Sequence, residues 1–570
     1  MLARSPGGQL FDGLRLREGR EAAREWVGVR SKSDHADVLI VGAGTSAGVA
    51  ARHLANAGFK VVCLEQGDWV DPGNLPGNKP EYELAGSKDW HPDPNVRGRR
   101  EDYPVDHSES DLPLWMYNGV GGTSVLYGGI WARALPSDFR VRTLDGVADD
   151  WPLTYDELLP YYQAVEREMR VSGLAGNPAY PPGFEPPLPA APIHQTGRTM
   201  AEGMNRLGWH WWPGTNSIPT LNRPHSKEGQ CVRYGVCRMG CPEGAKSSTD
   251  VTHLRDAVEL GAQVVTRARV ARVTLDERGR ANGAVYLRDG REHFQPASLV
   301  IMAAGGIGTP RLLLMSASHR FPDGLANSSG LVGKRLMLHP YAASVGVYED
   351  DLENWLGPAG EHIGSMQFYE SDPSRGFVRG AKWALLPIAG PLEAAEKWTD
   401  PRSLSGEELW GEGSADRMKS FVRMLQWHVV PEDLPEESNL VSLHPSLTDS
   451  DGLPAAKVHY RVSDNTRKIV DFNLARTLEA HEAAGATKAW VAGRNLMTGH
   501  NTGTAKMGDD PATSVVDRFG RTHDVPNLYI IDASVFTTST GVNPTATICA
   551  LAKRTAGHIA SNAREQEVAS

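Results

Sequence analysis

Residues 37–48 read DVLIVGAGTSAG, and the fold turns on how they are read. Asp37 to Val41 is a short, β-branched apolar run, the pattern of a fully buried strand. The glycines that follow mark a tight turn. Gly42 lets the chain reverse, and Gly44 lets the backbone come close to a pyrophosphate. A helix is expected next, through Ala57, with its free first-turn N–H groups and positive dipole end turned toward phosphate oxygens. Lys60 to Glu65 (KVVCLE) reads as a second strand, ending in an acid at the spacing that binds ribose hydroxyls. Strand, turn, helix, strand and acid together predict a β-α-β unit that binds a dinucleotide. The same glycines would also fit a plain turn beside a surface glutamate, and the unit alone does not separate FAD from NAD.

Around this unit the chain runs to 570 residues, enough for two or more domains, and is 40% apolar and 22% charged, as in soluble globular proteins. A formal charge of -10 offers no basic face, so no nucleic-acid partner is expected. No stretch approaches the ~20 apolar residues of a membrane span. The first 36 residues are polar and lack the apolar centre of a secretory signal, and five cysteines do not make a disulfide framework. A cytoplasmic location is the expectation. The stretch around 176–192 (NPAYPPGFEPPLPAAPI) is proline-rich and reads as an extended connection. Ala257 to Leu260 reads as helix; Gln263 to Thr266, Val270 to Leu275 and Ala297 to Ala304 read as strands. Residues 335–484 alternate polar and apolar, as at Ala456 to Val462, the pattern of an antiparallel sheet. Residues 399–417 (TDPRSLSGEELWGEGSADR) read as a polar surface loop or lid. Asn527 to Asp532 (NLYIID) reads as a strand and Thr545 to Ala560 as a helix.

The expected fold is therefore α/β (α+β overall): a Rossmann-like dinucleotide domain with an inserted substrate domain that contains an antiparallel sheet. The boundaries read as an arm at 1–36, a dinucleotide domain from 37–150, 230–334 and 485–562, a substrate domain from 151–229 and 335–484, and a tail at 563–570.

Three further blocks extend the reading. They are Gly119 to Ser124 (GVGGTS), Gly306 to Leu314 (GIGTPRLLL) after a buried strand, and a C-terminal set. That set comprises His500 to Gly508 (HNTGTAKMG), Asp532-Ala533-Ser534, and Gly541 to Thr547 (GVNPTAT). With the opening unit, these resemble the glucose–methanol–choline oxidoreductases, a family of FAD enzymes, over roughly residues 37–562. The resemblance implies FAD as cofactor, held by Gly42, Gly44, Glu65, Gly121, Gly122, Thr123, Ser124 and Val270, and by Asp532, Ala533, Pro544 and Thr545. Proline has no N–H, so Thr545 is the expected donor near the flavin. Some pyranose oxidases in the family bind flavin through a histidine where this chain has Leu126, so the FAD is expected to be non-covalent.

The resemblance also implies His500 and Asn543 as the catalytic pair. The chemistry fits these residue types: an alkoxide gives up hydride far more readily than an alcohol, and a neutral imidazole is a suitable base for the hydroxyl proton. Asn543 would hold the same oxygen in place. The C-terminal set and residues 435–461 look most like the pyranose oxidase and bacterial glycoside 3-oxidase branch. They imply oxidation of a ring hydroxyl, at C2 or C3, of a pyranose or glycoside to a keto-sugar, with oxygen or a quinone as acceptor. On that comparison Gln367 is expected to bind sugar, and His428 stands where an arginine is expected. Trp427, in the same segment, is a further expected substrate contact because its face could stack on a sugar. Oxidation of a choline-like or aryl alcohol, or a non-redox FAD lyase, are the alternatives. Cys231, Cys237 and Cys241 (CVRYGVCRMGC), with His253 as the nearest fourth ligand, do not match the usual four-ligand sites. They are expected to be buried thiols, with no metal.

Overall fold

A computed structural model describes residues 35–221, 229–388, 390–400, 403–406, 410, 413–496 and 499–569. Residues 1–34 of the expected arm, and parts of the polar loop at 399–417, lie outside the described residues.

The opening unit forms strand Ala36–Val41, helix Thr45–Asn56 and strand Val61–Leu64, with both strands parallel. Ala36–Val41 is almost wholly buried, which explains why it reads as an unbroken apolar run. On its other side it pairs in parallel with residues 297–302. Gln263–Val265 and Leu528–Ile530 complete the parallel part. The sequence reading places a strand at 297–304, but the observed strand spans Arg291–Met302 and serves two partners. Its first half pairs antiparallel with Ala281–Arg288, which in turn pairs with Arg269–Leu275. That half is largely exposed, so its residues REHFQP carry no apolar run to find. Helices Thr45–Asn56, His253–Glu259, Tyr155–Glu168 and Thr545–Ala569 pack in series beside the sheet. The last of these continues through residues expected as a tail.

Helix Tyr155–Glu168 starts at a capping box: Glu157 N–H donates to Thr154 Oγ1, and Thr154 N–H donates to Glu157 Oε2. Trp151, Leu153, Tyr155, Leu158 and Tyr162 share one apolar core with the dinucleotide sheet. The segment just after 150 thus packs with the dinucleotide-binding part, although its sequence carries no mark of that partner.

A second sheet of six strands is antiparallel throughout. Its order is Lys488–Gly493, Ala342–Val347, Met424–Pro431, Ala381–Leu386, Ile363–Ser365, Trp212–Pro213. Helices Gln195–Leu207 and Asp464–Ala483 pack together and share an apolar core with one face of this sheet. The alternating stretch near 456 is strand Pro454–Tyr460, which belongs elsewhere. It joins Leu440–Thr448 and Val105–Ser110 in a small third sheet. Alternation shows that a strand is half-buried, but not which strand it pairs with.

Candidate active site

The first sheet delivers its strand ends to one cavity of about 210 Å³. Gly42, at φ 102°, makes the turn out of the first strand, and a Cβ there would lie 2.6 Å from the Ala303 carbonyl oxygen. Gly44 caps helix Thr45–Asn56 with no side-chain hydrogen bond and no acid in the first turn, and Gly44, Thr45 and Ser46 line the cavity. The orphan N–H groups of that turn are the natural partners of an anion. Gly122 faces Gly44 so closely that a Cβ on it would lie 2.9 Å from the Gly44 Cα. Glu65 is buried and accepts N–H groups of Ala43 and Gly67, each at 2.9 Å. Burial pushes its pKa up, and these backbone donors oppose the shift. The cavity is also lined by Thr123, Val270, Asp532, Ala533, Pro544 and His500, so one space joins the dinucleotide unit to the C-terminal set. These bare glycines, the uncapped helix end and the buried acid fit an elongated dinucleotide such as FAD.

Some expected contacts are structural in this fold. Gly121 N–H donates to the Ala43 carbonyl at 2.8 Å. Ser124 Oγ donates to the Gly121 carbonyl at 2.6 Å. Gly121 thus ties the two glycine loops together, and Ser124 closes the second loop on itself. The Asp532 carboxylate is filled from within: Oδ2 takes Gly305 N–H and Thr309 Oγ1, and Oδ1 takes Ser534 N–H and Oγ. Thr545 is the first residue of the terminal helix, next to the cavity-lining Pro544.

His500 sits in a chain of hydrogen bonds that dictates its tautomer. His339 Nε2 lies 2.6 Å from the Thr540 carbonyl oxygen, which can only accept. The proton of neutral His339 is therefore on Nε2, leaving Nδ1 as an acceptor. That Nδ1 lies 2.7 Å from Nδ1 of His500, so His500 is the donor and its own Nε2 keeps a lone pair. Burial pushes His339 down to about 4, opposed by the Thr540 carbonyl. Burial first, then His339 and Lys382, holds His500 well below the ordinary histidine range. Both rings are neutral near pH 7. Thr540 presents its carbonyl from a backbone with φ 61°, a left-handed turn just before Gly541.

Asn543 meets His500 through Tyr341. Asn543 Nδ2 donates to the Tyr341 hydroxyl at 3.1 Å, and that oxygen is 3.2 Å from His500 Nε2. Asn543 Oδ1 is buried with no hydrogen-bond partner among the described residues. Nearby, Lys382 Nζ and Glu361 Oε1 form a buried ion pair at 2.5 Å. His339, Tyr341, Lys382 and Glu361 are the residues the sequence reading misses. His339 and Tyr341 bracket a proline at the entry to strand Ala342–Val347, and nothing local ties them to His500, some 160 positions away.

The expected substrate contacts separate. His428 is buried, 5.9 Å ring to ring from Tyr341, and donates from Nε2 to Gln426 Oε1 at 3.1 Å. The Gln426 amide nitrogen is itself committed to Pro387 and Glu393, so its oxygen must accept. Trp427 is a correction. Strand alternation turns it to the other face of the sheet, where it is fully buried against Trp383 and Met200. It packs the core and does not line the cavity. Gln367 is partly buried and uses Oε1 to accept the His210 N–H at 2.6 Å.

Cys231, Cys237 and Cys241 line a small separate cavity with Lys246. The Lys246 ammonium donates to the carbonyls of Val125, Tyr127 and Cys237. Burial pushes the Cys237 thiol up to about 12. His253 pairs with Glu168 at 3.1 Å instead of joining the cysteines. Among the described residues, no group of three His, Cys, Asp or Glu side chains is placed to hold a metal ion.

Two family models, both described as GMC oxidoreductase, match residues 194–341 and 435–552. A 2-methyl-1,2-propanediol dehydrogenase of Mycolicibacterium austroafricanum is 39% identical over 540 residues, covering 93% of this chain and 96% of that one. The large subunit of a fructose dehydrogenase from Gluconobacter japonicus is 29% identical, covering 93% of this chain and 98% of its own. A solved structure of formate oxidase from Aspergillus oryzae shares the fold with a TM-score of 0.63 at 17% identity, covering 94% of this chain and all of that one.

Proposed function

The chain belongs to the GMC oxidoreductase family, FAD enzymes that act on CH–OH groups, and from that premise we propose that it oxidises one hydroxyl of a vicinal diol, with His500 as the base. When bound, the flavin supplies a hydride acceptor. Segments 37–150, 230–334 and 485–562 hold the cofactor, with Gly44, Thr45 and Ser46 at its pyrophosphate and Glu65 at its ribose. His500 Nε2 takes the proton of the substrate hydroxyl as the hydride leaves the same carbon. Asn543 Nδ2 donates to that oxygen and holds it in place. His339, anchored on Thr540, keeps the lone pair of His500 on Nε2. The observation that carries the reading is this directed chain, which puts the His500 proton on Nδ1 and leaves Nε2 unprotonated in a neutral imidazole near Asn543. The FAD is non-covalent, because Leu126 cannot form the bond that a histidine would.

Within the vicinal diols, we place a pyranose or glycoside oxidised at C2 or C3 first, on the strength of the motifs at 435–461 and 541–547. Gln367 contributes its amide nitrogen to a second hydroxyl, its oxygen being held by His210. A short acyclic diol is the second reading, favoured by the name of the relative at 39% identity. The test is anaerobic mixing of the holoenzyme with pyranoses, glycosides, 2-methyl-1,2-propanediol, choline and benzyl alcohol, followed by flavin absorbance. Bleaching by sugars or by the diol supports the proposal. Bleaching only by choline or benzyl alcohol rejects the substrate class, and none by any compound rejects alcohol oxidation. In the Gln367→Ala variant KM should rise more than kcat falls; unchanged kinetics on every sugar would remove Gln367 from the site.

A further inference from the structure

Tyr341 engages the asparagine that an alcohol under oxidation has to use. Its hydroxyl accepts the Asn543 amide N–H at 3.1 Å. It lies 3.2 Å from Nε2 and 3.3 Å from Nδ1 of His500. Two nearly equal distances to one imidazole place the oxygen over the face of the ring, off the in-plane lone pair of Nε2. One oxygen therefore accepts from Asn543 and covers the face of the base. A substrate hydroxyl held for deprotonation needs the same Asn543 N–H and the space beside the same ring.

We propose that the Tyr341 phenol is a built-in occupant of the substrate-oxygen position, which every alcohol must displace before it can react, so that residue 341 sets the affinity threshold of the site. This rests on the reading of His500 as the base.

Two features make displacement feasible. The contacts to His500 are long for an O–H donor and straddle both ring nitrogens, so neither is strong. The backbone is pinned: Leu496 N–H donates to the Tyr341 carbonyl at 2.7 Å, at the entry to strand Ala342–Val347. Displacement is then a side-chain rotation, on the timescale of rotamer exchange and not of loop movement. The ring is guided edge-on by His500 at 5.3 Å and by His428 at 5.9 Å, which gives the buried His428 an indirect part in the site.

The exchange has a consequence for selectivity. Swapping a phenol oxygen for an alcohol oxygen leaves Asn543 with one acceptor as before, so that bond contributes little to net binding. Affinity has to come from the remainder of the substrate. A monohydric alcohol has little remainder, whereas a diol or sugar brings further hydroxyls. The displacement penalty is the same for every ligand because it belongs to the protein.

The test uses holoenzyme of the wild type and of Tyr341→Phe, matched for FAD content. Steady-state kinetics are measured with whichever diol or sugar bleaches the flavin. Inhibition is measured with tert-butyl alcohol, which has a hydroxyl but no hydrogen on its carbinol carbon and so binds without reacting. Loss of the competing hydroxyl should lower both KM and the inhibition constant by a common factor of about three- to tenfold, with kcat moving less than KM. A rise in KM, an unchanged inhibition constant, or factors that differ from one ligand to the next would overturn the proposal and make Tyr341 a direct substrate contact or a packing residue. Should the phenylalanine variant lose FAD, Tyr341→Leu removes the same hydroxyl and must show the same common factor. A wild-type enzyme that no alcohol bleaches would refute the base assignment instead; the tert-butyl alcohol affinity, read from the flavin spectrum, would still report on residue 341.

Discussion

Replacing His339 with leucine removes the acceptor that fixes the proton of His500 on Nδ1. The ring then has a buried N–H with no partner where it had a 2.7 Å bond, and the tautomer with the proton on Nε2 becomes accessible. An unsatisfied buried donor costs about 1–3 kcal/mol. If that falls on the reacting arrangement, flavin reduction slows by roughly fivefold to 150-fold. FAD content should be normal, because His339 does not line the cofactor cavity. His339→Gln is the control: its amide oxygen can accept from His500, and its amide nitrogen can donate to the Thr540 carbonyl, so it should recover much of the rate. The assay is anaerobic rapid mixing with saturating substrate, followed by flavin absorbance. A leucine variant at the wild-type rate, or a glutamine variant as slow as leucine, would refute the tautomer argument.

His500→Ala should keep FAD and lose about 10²–10⁴ in reduction rate, and a near-normal rate would end its assignment as the base. Asn543→Ala should lose less, about 1–3 kcal/mol of transition-state stabilisation read from kcat/KM. Because only neutral His500 can accept a proton, activity is lost as pH falls through its folded-state pKa, which burial holds below the ordinary value. The acid limb of kcat/KM should therefore lie below about pH 6.5, and a midpoint above that contradicts the burial argument. Acid precipitation should release all yellow colour into the supernatant; colour in the pellet would mean a covalent flavin. Trp427→Ala should lower stability by about 3–5 kcal/mol in urea unfolding, as a buried core tryptophan does, with KM unchanged. An altered KM at full stability would return Trp427 to the substrate site.

The parts legible in the sequence are those whose cause is local. Ala36–Val41 reads as a strand because both its faces are covered, and Gly42 reads as a turn because its positive φ admits little else. His500 and Asn543 are legible because each sits in a dense motif. The parts that were not legible depend on distant partners. His339 acts on His500 from 161 positions away, and Tyr341 from 159. Trp427 and His428 are adjacent, so alternation guarantees that they face opposite ways, but only the packed sheet shows which of them faces Tyr341. The exposed half of Arg291–Met302 has no apolar pattern because its stability comes from ladder hydrogen bonds to residues 283–288.

The strand Arg291–Met302 also bears on how the protein is made. Its inner half pairs with Ala36–Val41, synthesised some 260 positions earlier, and with Leu528–Ile530, synthesised more than 220 positions later. Such long-range parallel pairing is entropically slow to close. On the ribosome the sheet stays incomplete until the chain is nearly finished, and Pro544 and His500, which line the cofactor cavity, emerge late as well. At 5–20 residues per second, translation of 570 residues takes roughly half a minute to two minutes. The early strands find their partners by residue 302, and the edge that stays uncovered is that of residues 300–302, which pairs with 528–530. The cofactor cavity is therefore complete only at the end of synthesis, and a chain truncated before residue 528 would keep that edge open and lack Asp532, Ala533 and Pro544 of the cavity wall.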